Sequence, residues 1–273
     1  MIENFNFNNS EQYTLSIRLS TDGFSFSVYN PLLDHSFYYM PYKIERSLSM
    51  AANIKGMLQQ NDFLRLPYKR TRIYIVQTNY MPVPFEIFDE EQMEELYYQN
   101  YSKVSNDLVL YNILPKTNIV MLYSLNKTVY QLLKEQFPEA KFYTIASPLT
   151  EYFTGKSYLG NSKKIYAYLQ RGNLTTLCFD RGKLLLLNTF SCKQSNDYIY
   201  YLLYIWKQLD YDQNRDELHL AGIIPEKEIL IQNLRKYLRQ VYIINPTAEF
   251  NRSEFSKIEE IPFDLQTSYL CDI

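Results

Sequence analysis

Residues from which metal and redox sites are commonly built are scarce here. Of 273 residues, three are cysteine and two are histidine. Cys178, Cys192 and Cys271 stand too far apart for a metal knuckle, and an odd count makes a poor disulfide framework. His35 follows Asp34 in a turn-like stretch and His219 sits in an apolar run. A metal site needs several ligands, so each imidazole reads as a surface or internally satisfied group. An excess of one charge is also missing. Lys and Arg total 28 against 30 Asp and Glu, a net charge of −2, so no global field attracts nucleic acid. No apolar run approaches the roughly 20 residues of a membrane span. The opening residues MIENFNFNNSEQ contain no apolar stretch of the kind a signal peptide carries. The expectation is cytoplasmic, with no nucleic-acid partner and no direct membrane insertion. Gly-x-Ser-x-Gly is absent. Thr154-Gly155-Lys156-Ser157 ends like a P-loop but lacks the glycine five residues before Gly155.

What is abundant is tyrosine, at 27 residues, much of it in strand-like runs where a ring packs well on a pleated surface. Hydrophobic content of 46% and charged content of 21% describe an ordinary globular chain long enough for one large or two ordinary domains. The stretch KIYAYLQRGNLTTLCFDRGKLLLLNTFS, residues 164–191, organises the rest. It reads as three strands joined by turns at Arg171-Gly172-Asn173 and Asp180-Arg181-Gly182-Lys183. The same design occurs earlier, over 13–42. There Tyr13, Leu15, Ile17 and Leu19 alternate with polar residues, Asp22-Gly23 suits a type I′ hairpin, and Phe24, Phe26 and Val28 alternate again before Asn30-Pro31. A third strand is expected over 36–42.

Between these units the pattern predicts a helix carrying Ile44, Leu48, Ala51, Ala52 and Leu58, with Gly56 weakening its last turns. A strand follows over 73–77. Met81-Pro82-Val83-Pro84 is expected to be irregular. Asp89 caps a helix with Gln92 as its capping-box partner. The carboxylates of Asp89, Glu90, Glu91, Glu94 and Glu95 suit a helix start. Lys69, Arg70 and Arg72 read as a solvated strand entry. Strands over 107–114 and 118–125 form a hairpin, Asn126 caps a helix that Pro138 stops, and a strand covers 141–146. A short helix begins at Ser147-Pro148, and Gly160-Asn161-Ser162 reads as the join between halves. After residue 191, Asn196 or Asp197 caps a nearly all-apolar helix over 198–209, bounded by Tyr198 and Leu209. Such a helix is buried between layers or covered by a partner, including a second copy of the chain. A strand at 217–221 runs into Gly222. Pro225 opens a helix with a buried stripe of Ile229, Leu230, Leu234, Tyr237 and Leu238, and a strand covers 241–244. A short helix falls near 264–271.

Set side by side, the halves repeat with an offset of about 150 residues: Gly23 matches Gly172, and the strand at Ile73 matches that at Leu218. Each half reads strand, strand, strand, helix, strand, helix, strand. This predicts an α/β fold of two similar subdomains, 1–146 and 147–273, each a mixed sheet flanked by helices, with a cleft between them as the default ligand site.

That order resembles the duplicated actin-like (ribonuclease-H-like) ATPase fold of sugar kinases, heat-shock ATPases and the cell-division and pilus-assembly actin homologues. LQRGNLTTLCFDRGKL is similar to the second phosphate loop of the pilus and cell-division members. LHLAGIIPEKEILIQNLRKYL is similar to their adenosine segment. The whole chain resembles a small bacterial family assigned that fold without an established activity. The resemblance implies ATP with Mg²⁺, with Asp22, Gly23, Gly172, Asn173, Thr175, Thr176 and Gly222 as the matching positions.

The departures from that pattern carry weight. Family members place an Asp at the strand end of each phosphate loop to orient the metal-bound water, and glycines admit phosphate to the backbone. Here Gln170 stands at that place in the second loop, followed by Arg171. Asp22-Gly23 lacks the Asp-x-Gly spacing, and Asp22 reads first as a turn residue. Gly222 stands alone where two glycines should pass the adenine, with Ile223 and Ile224 behind it. The expectation is a non-catalytic scaffold or regulatory protein with degenerate nucleotide motifs, no cofactor, and an unknown protein partner or homodimer through the helix at Tyr198. The alternative is a divergent ATP-binding protein or weak ATPase using the cleft, with Asp22, Thr175 and Thr176 around the phosphates.

Overall fold

The computed structural model describes residues 5–30, 37–170, 172–251 and 253–271. Expectations for Asp34, His35, Arg171 and the first residue of the third strand lie outside these. The chain divides into two compact units: 1–113, 119–147 and 253–261 form the first; 114–118, 148–252 and 262–273 form the second.

The first unit opens with an antiparallel meander of β1 (Thr14–Ser20), β2 (Gly23–Tyr29) and β3 (Phe37–Tyr42). Helix α1 (Met50–Gln60) then leads to β4 (Arg70–Ile75), which pairs parallel to β1. After β5 (Tyr80–Pro84), α2 (Met93–Asn100), β6 (Asp107–Leu114), β7 (Ile119–Asn126) and α3 (Lys127–Gln136), strand β8 (Lys141–Thr144) adds parallel to β4. The resulting sheet has the order β3-β2-β1-β4-β8. Leu15, Ile17 and Leu19 on β1 and Phe24, Phe26 and Val28 on β2 share one face, as period-two alternation requires. They pack with Ile54, Met57 and Leu58 of α1 and Val129 and Leu133 of α3.

Three expectations need correction in this unit. Helix α1 starts later than the apolar spacing suggested, because the Ser49 hydroxyl accepts the Ala52 N–H at 3.2 Å and caps it there; Ile44 and Leu48 precede the helix. Met81 to Pro84 is not irregular. It forms β5, on the edge of a small sheet ordered β5-β7-β6, where a strand tolerates prolines that cannot donate to a ladder. Arg72 is buried, at 7% exposure, with Tyr74, Tyr29 and Tyr143 around it, so it is no solvated strand entry.

Helix α4 (Ala146–Ser157) lies in the second unit from Pro148 onward, and Gly160-Asn161-Ser162 lies inside this unit, between α4 and β9. A second meander follows: β9 (Lys164–Gln170), β10 (Asn173–Asp180) and β11 (Lys183–Ser191). Then come α5 (Ser195–Gln208), β12 (Glu217–Gly222), α6 (Lys227–Leu234), β13 (Gln240–Ile243), α7 (Pro246–Glu249) and α8 (Phe263–Ser268). Strand β12 pairs parallel to β9 and β13 parallel to β12, giving the order β11-β10-β9-β12-β13. Both five-stranded sheets therefore share one strand order and one set of strand directions.

Ile165, Ala167 and Leu169 of β9 face α5 and α6, packing with Leu202, Ile205, Trp206, Leu230 and Leu234. The opposite face carries Tyr166 and Tyr168, which meet Phe153 of α4 and Phe263 of α8 at ring centroids of 4.2 and 6.1 Å. Helix α5 is one turn longer at its start than expected. Asp197 sits inside it and accepts the N–H groups of Lys193 at 2.7 Å and Gln194 at 2.9 Å. Its inner residues Tyr198, Leu202, Ile205 and Trp206 are buried, whereas Tyr200 and Tyr204 stay exposed and stack on each other at 6.0 Å. On α6 the buried residues are Leu230, Ile231 and Leu234, and Ile229 is exposed; beyond the helix end Tyr237 is exposed and Leu238 buried.

Candidate functional site

The two hairpins that resemble phosphate loops occupy equivalent places in their sheets. In the first unit Ser20 pairs with Gly23 across a two-residue loop of Thr21 and Asp22. In the second, Gln170 pairs with Asn173 across residues 171 and 172. By register, then, Gly23 corresponds to Asn173 and not to Gly172, and Ser20 corresponds to Gln170. Neither strand end carries a carboxylate.

In the first hairpin, Asp22 is exposed and its backbone N–H reaches the Ser20 hydroxyl at 3.2 Å. Neither Thr21 nor Asp22 has a positive φ, so the turn is not type I′. The glycine is needed one residue later. Gly23 has φ +150°, and a Cβ there would stand 3.2 Å from the Tyr42 carbonyl oxygen.

In the second hairpin the backbone is already engaged by its own unit. Gly172 has φ +75°, and its carbonyl accepts the Cys192 N–H at 2.8 Å. The Tyr198 hydroxyl lies against the Gly172 backbone; burial raises the pKa of this phenol, and the bond from Gly172 opposes the rise. Asn173 is half-buried at the first rung of β10. Thr175 and Thr176, adjacent on a strand, point to opposite faces. The Thr175 hydroxyl meets that of Thr189 at 2.8 Å across the ladder. Thr176 is fully buried on the α5 face, opposite Ala167, and donates to the Asn188 carbonyl at 3.4 Å. The structure does not bring the paired hydroxyls to one point.

Gly222 ends β12 beside Leu169. Its φ is +89°, and an added Cβ would lie 2.2 Å from the Leu169 carbonyl oxygen and 2.8 Å from the Tyr168 ring. The Ile223 N–H closes the corner by donating to the same Leu169 carbonyl at 2.9 Å. Only glycine fits, and the reason is the neighbouring strand.

The Gln170 amide nitrogen is occupied. It donates to the Tyr168 hydroxyl at 3.0 Å and to the Asp264 carboxylate at 2.8 Å. Asp264, in the first turn of α8, is completely buried. Sequence reasoning missed both Tyr168 and Asp264. Tyr168 was legible only as one tyrosine among many, and Asp264 lies 94 residues from its partner in a stretch with weak periodicity.

The remaining titratable groups form internal ties. His219 stacks between Tyr166 and Tyr242, at 5.0 and 5.1 Å, and its Nε2 meets the Glu217 carboxylate at 2.8 Å. Glu217 also accepts the Ser162 hydroxyl and lies 3.9 Å from the Lys164 ammonium. Both acceptor bonds end on the carboxylate, so the histidine is not placed to activate the serine. Thr154 and Ser157, of the P-loop-like stretch, are buried in α4 and bond the Thr150 and Thr154 carbonyls. Cys178 is a buried core thiol whose pKa burial raises. Among the described residues, no group of three or more His, Cys, Asp or Glu could hold a metal ion, and no helix is long and apolar enough to cross a membrane.

The two mixed sheets with their flanking helices define the actin-like ATPase fold. A crystal structure from Bacteroides thetaiotaomicron VPI-5482, of a protein described as having that fold and unknown function, matches with a TM-score of 0.87 and 46% identity over 100% of both chains. A chain of the PilM–PilN type IV pilus biogenesis complex is similar with a TM-score of 0.50 and 13% identity, over 93% of this chain and 96% of that one, a likeness of fold alone. No curated protein sequence matches. Residues 2–241 match the family described as protein of unknown function (DUF3822), and the chain belongs to that family.

Two outcomes follow from this geometry. Gly222→Ala forces a left-handed side-chain residue against backbone and should destabilise by at least about 1–2 kcal/mol. Gly155→Ala, in α4 with nothing within 4 Å of the new Cβ, should be neutral or stabilising by up to about 1 kcal/mol. Urea unfolding midpoints distinguish them; equal midpoints for the two variants would contradict the close approach at Gly222.

The second outcome concerns pH. Burial lowers the pKa of His219 more than its bond to Glu217 raises it. Burial would raise Glu217 and Glu249, but hydrogen bonds and cations outweigh it. Ser162, His219 and Lys164 do this for Glu217, and Lys156 and Tyr152 for Glu249, so both fall below the ordinary 4.5. Unfolded His219 takes its proton near pH 6.5, where the native state resists it, so stability should fall as pH drops below about 6.5. The two carboxylates add a further loss below 4.5. In thermal melts from pH 8 to 4, His219→Phe, which keeps the ring stack, should remove the upper limb and weaken but not abolish the lower one, which Ser162, Lys164, Lys156 and Tyr152 still support. Unchanged pH dependence above pH 5 in that variant would contradict the assignment.

Proposed function

We propose that this protein keeps the actin-like fold as a scaffold or regulatory element and does not turn over nucleotide. The observation that carries this is the amide of Gln170, where the fold's ATPases are expected to hold a metal-orienting carboxylate. Gln170 is neutral, and its nitrogen is committed to Tyr168 and Asp264. Serine occupies the equivalent strand end, Ser20, in the first unit. An uncharged amide and a hydroxyl do not hold a divalent cation as carboxylates do, and metal positioning supplies much of phosphoryl transfer. The residues at these two strand ends do not fit Mg²⁺ with ATP.

Further support comes from the loops. The Gly172 carbonyl is taken by Cys192, Thr175 and Thr176 diverge, and the single Gly222 is filled by the Leu169 carbonyl. A neighbour of the same fold belongs to a complex of two proteins, PilM and PilN, which agrees with a role in assembly for this architecture.

Isothermal titration of the full chain with Mg-ATP tests the proposal. No heat of binding is expected up to millimolar nucleotide. Low-micromolar affinity that is lost in Thr175→Ala, with the variant still folded, would overturn the proposal in favour of an ATP-binding protein built on Asp22, Thr175 and Thr176.

A further inference from the structure

Helix α5 ends at Gln208, and the chain turns back at once. Asp210 takes a left-handed backbone, φ +52°, which short polar residues tolerate. The last carbonyls of the helix are taken by the protein's own donors. Ile205 and Lys207 accept the Leu209 N–H, Lys207 also accepts that of Asp210 at 3.2 Å, and Trp206 accepts that of Tyr211 at 3.0 Å. The Lys163 ammonium donates to the Leu209 and Asp210 carbonyls at 3.2 and 3.1 Å. Further on, the Arg239 N–H donates to the Gln213 carbonyl at 2.9 Å and ties this loop to the segment after α6. Between the end of α5, the loop and Tyr237 a cavity of about 320 Å³ remains, wholly within the second unit. The Gly172 hairpin is met by the opposite end of α5, through Tyr198.

With the backbone satisfied, the chemistry of the cavity belongs to its side chains. Leu203, Trp206 and Tyr237 line it with apolar surface. Tyr211 contributes its ring, since its hydroxyl donates to the Lys164 and Phe179 carbonyls at 3.2 and 3.1 Å. Trp206 is only 3% exposed and packs on Tyr211 at 5.2 Å, and its indole N–H has no hydrogen-bond partner among the described residues. A buried donor without a partner is unfavourable, and a bound acceptor relieves it. Lys207 and Asp210 also line the cavity, and among the described residues neither side chain has an ion-pair partner. A ligand of one charge meets an ally and an opponent there. A ligand that carries both signs meets two allies.

We propose that this cavity binds a free α-amino acid with an apolar side chain. The side chain lies against Leu203, Trp206 and Tyr237. The carboxylate faces Lys207 and supplies an acceptor for the indole N–H, and the ammonium faces Asp210. The volume stands near the lower end of the roughly 300–1,000 Å³ found for small-molecule sites, which suits a ligand of this size. The site uses none of the residues at the two hairpins, so it stands whether or not a nucleotide binds there.

The chain has one tryptophan, so its indole N–H gives a single ¹H–¹⁵N resonance that reports on the cavity. Titrating the full chain with L-leucine should move that resonance saturably at millimolar concentration or below. Isocaproate, which lacks the ammonium, and L-leucinamide, which lacks the carboxylate, should each bind about fivefold more weakly, the effect of one solvent-exposed charge pair. Lys207→Met and Asp210→Asn, both at exposed positions, should each weaken leucine binding by a similar factor and leave the fold intact. An indole resonance that stays in place at millimolar leucine would overturn the proposal. So would equal binding of leucine and its two one-charge analogues, or leucine binding that neither variant changes.

Discussion

The parallel pairing of β12 with β9 is the constraint on which the rest of the second unit depends. It sets Gly222 beside Leu169 and leaves Gln170 at the free end of β9. Because the two strands run the same way, both end at one corner, and the corner is closed by backbone: the Leu169 carbonyl accepts the Ile223 N–H and stands where a Gly222 side chain would be. The aromatic layer of Tyr166, Tyr168, Phe153 and Phe263 supports the same face. The first unit repeats the arrangement with β1 and β4, so the two meanders end in equivalent hairpins.

In an actin-like protein these corners are where nucleotide chemistry is expected. Here each corner is finished with the chain's own groups. Ser20 accepts a bond from Asp22, Gly172 binds Cys192, and Gln170 joins Tyr168 to the buried carboxylate of Asp264. The charge that would meet a metal ion has not been left vacant. A neutral amide fills its position, and the nearby carboxylate is turned inward by the last helix. Sheets of the actin-like order with loops closed on the chain's own groups are what the proposed scaffold role rests on.

Much of this architecture was legible because it rests on short-range rules. Alternation over Leu15, Ile17 and Leu19, and again over Ile165, Ala167 and Leu169, marked half-buried and buried strands, and Asn126 marked a helix start by its side-chain acceptor. The errors arose where a tertiary contact overruled a local signal. Pro82 and Pro84 argued against a strand, but an edge position in the β5-β7-β6 sheet removes the objection. Ile229 and Tyr237 matched a helical stripe, but the sheet meets α6 through Leu230, Ile231 and Leu234. Gly23 and Gly172 looked equivalent by the spacing between the halves; strand register shows that they are not. The absence of a carboxylate at Gln170 could be read directly, whereas its partner Asp264 could not, since nothing local in PFDLQTS announces a contact with β9.

A corner of Gln170, Gly172 and Gly222 committed to the protein itself leaves no place for a nucleotide there. The chain has only seven glycines, so their amide resonances in a ¹H–¹⁵N spectrum report on this corner with little overlap. On addition of Mg-ATP, Gly172 and Gly222 should remain where they are, as should Gly56 and Gly155 in their helices. Saturable movement of Gly172 and Gly222 alone would contradict the account.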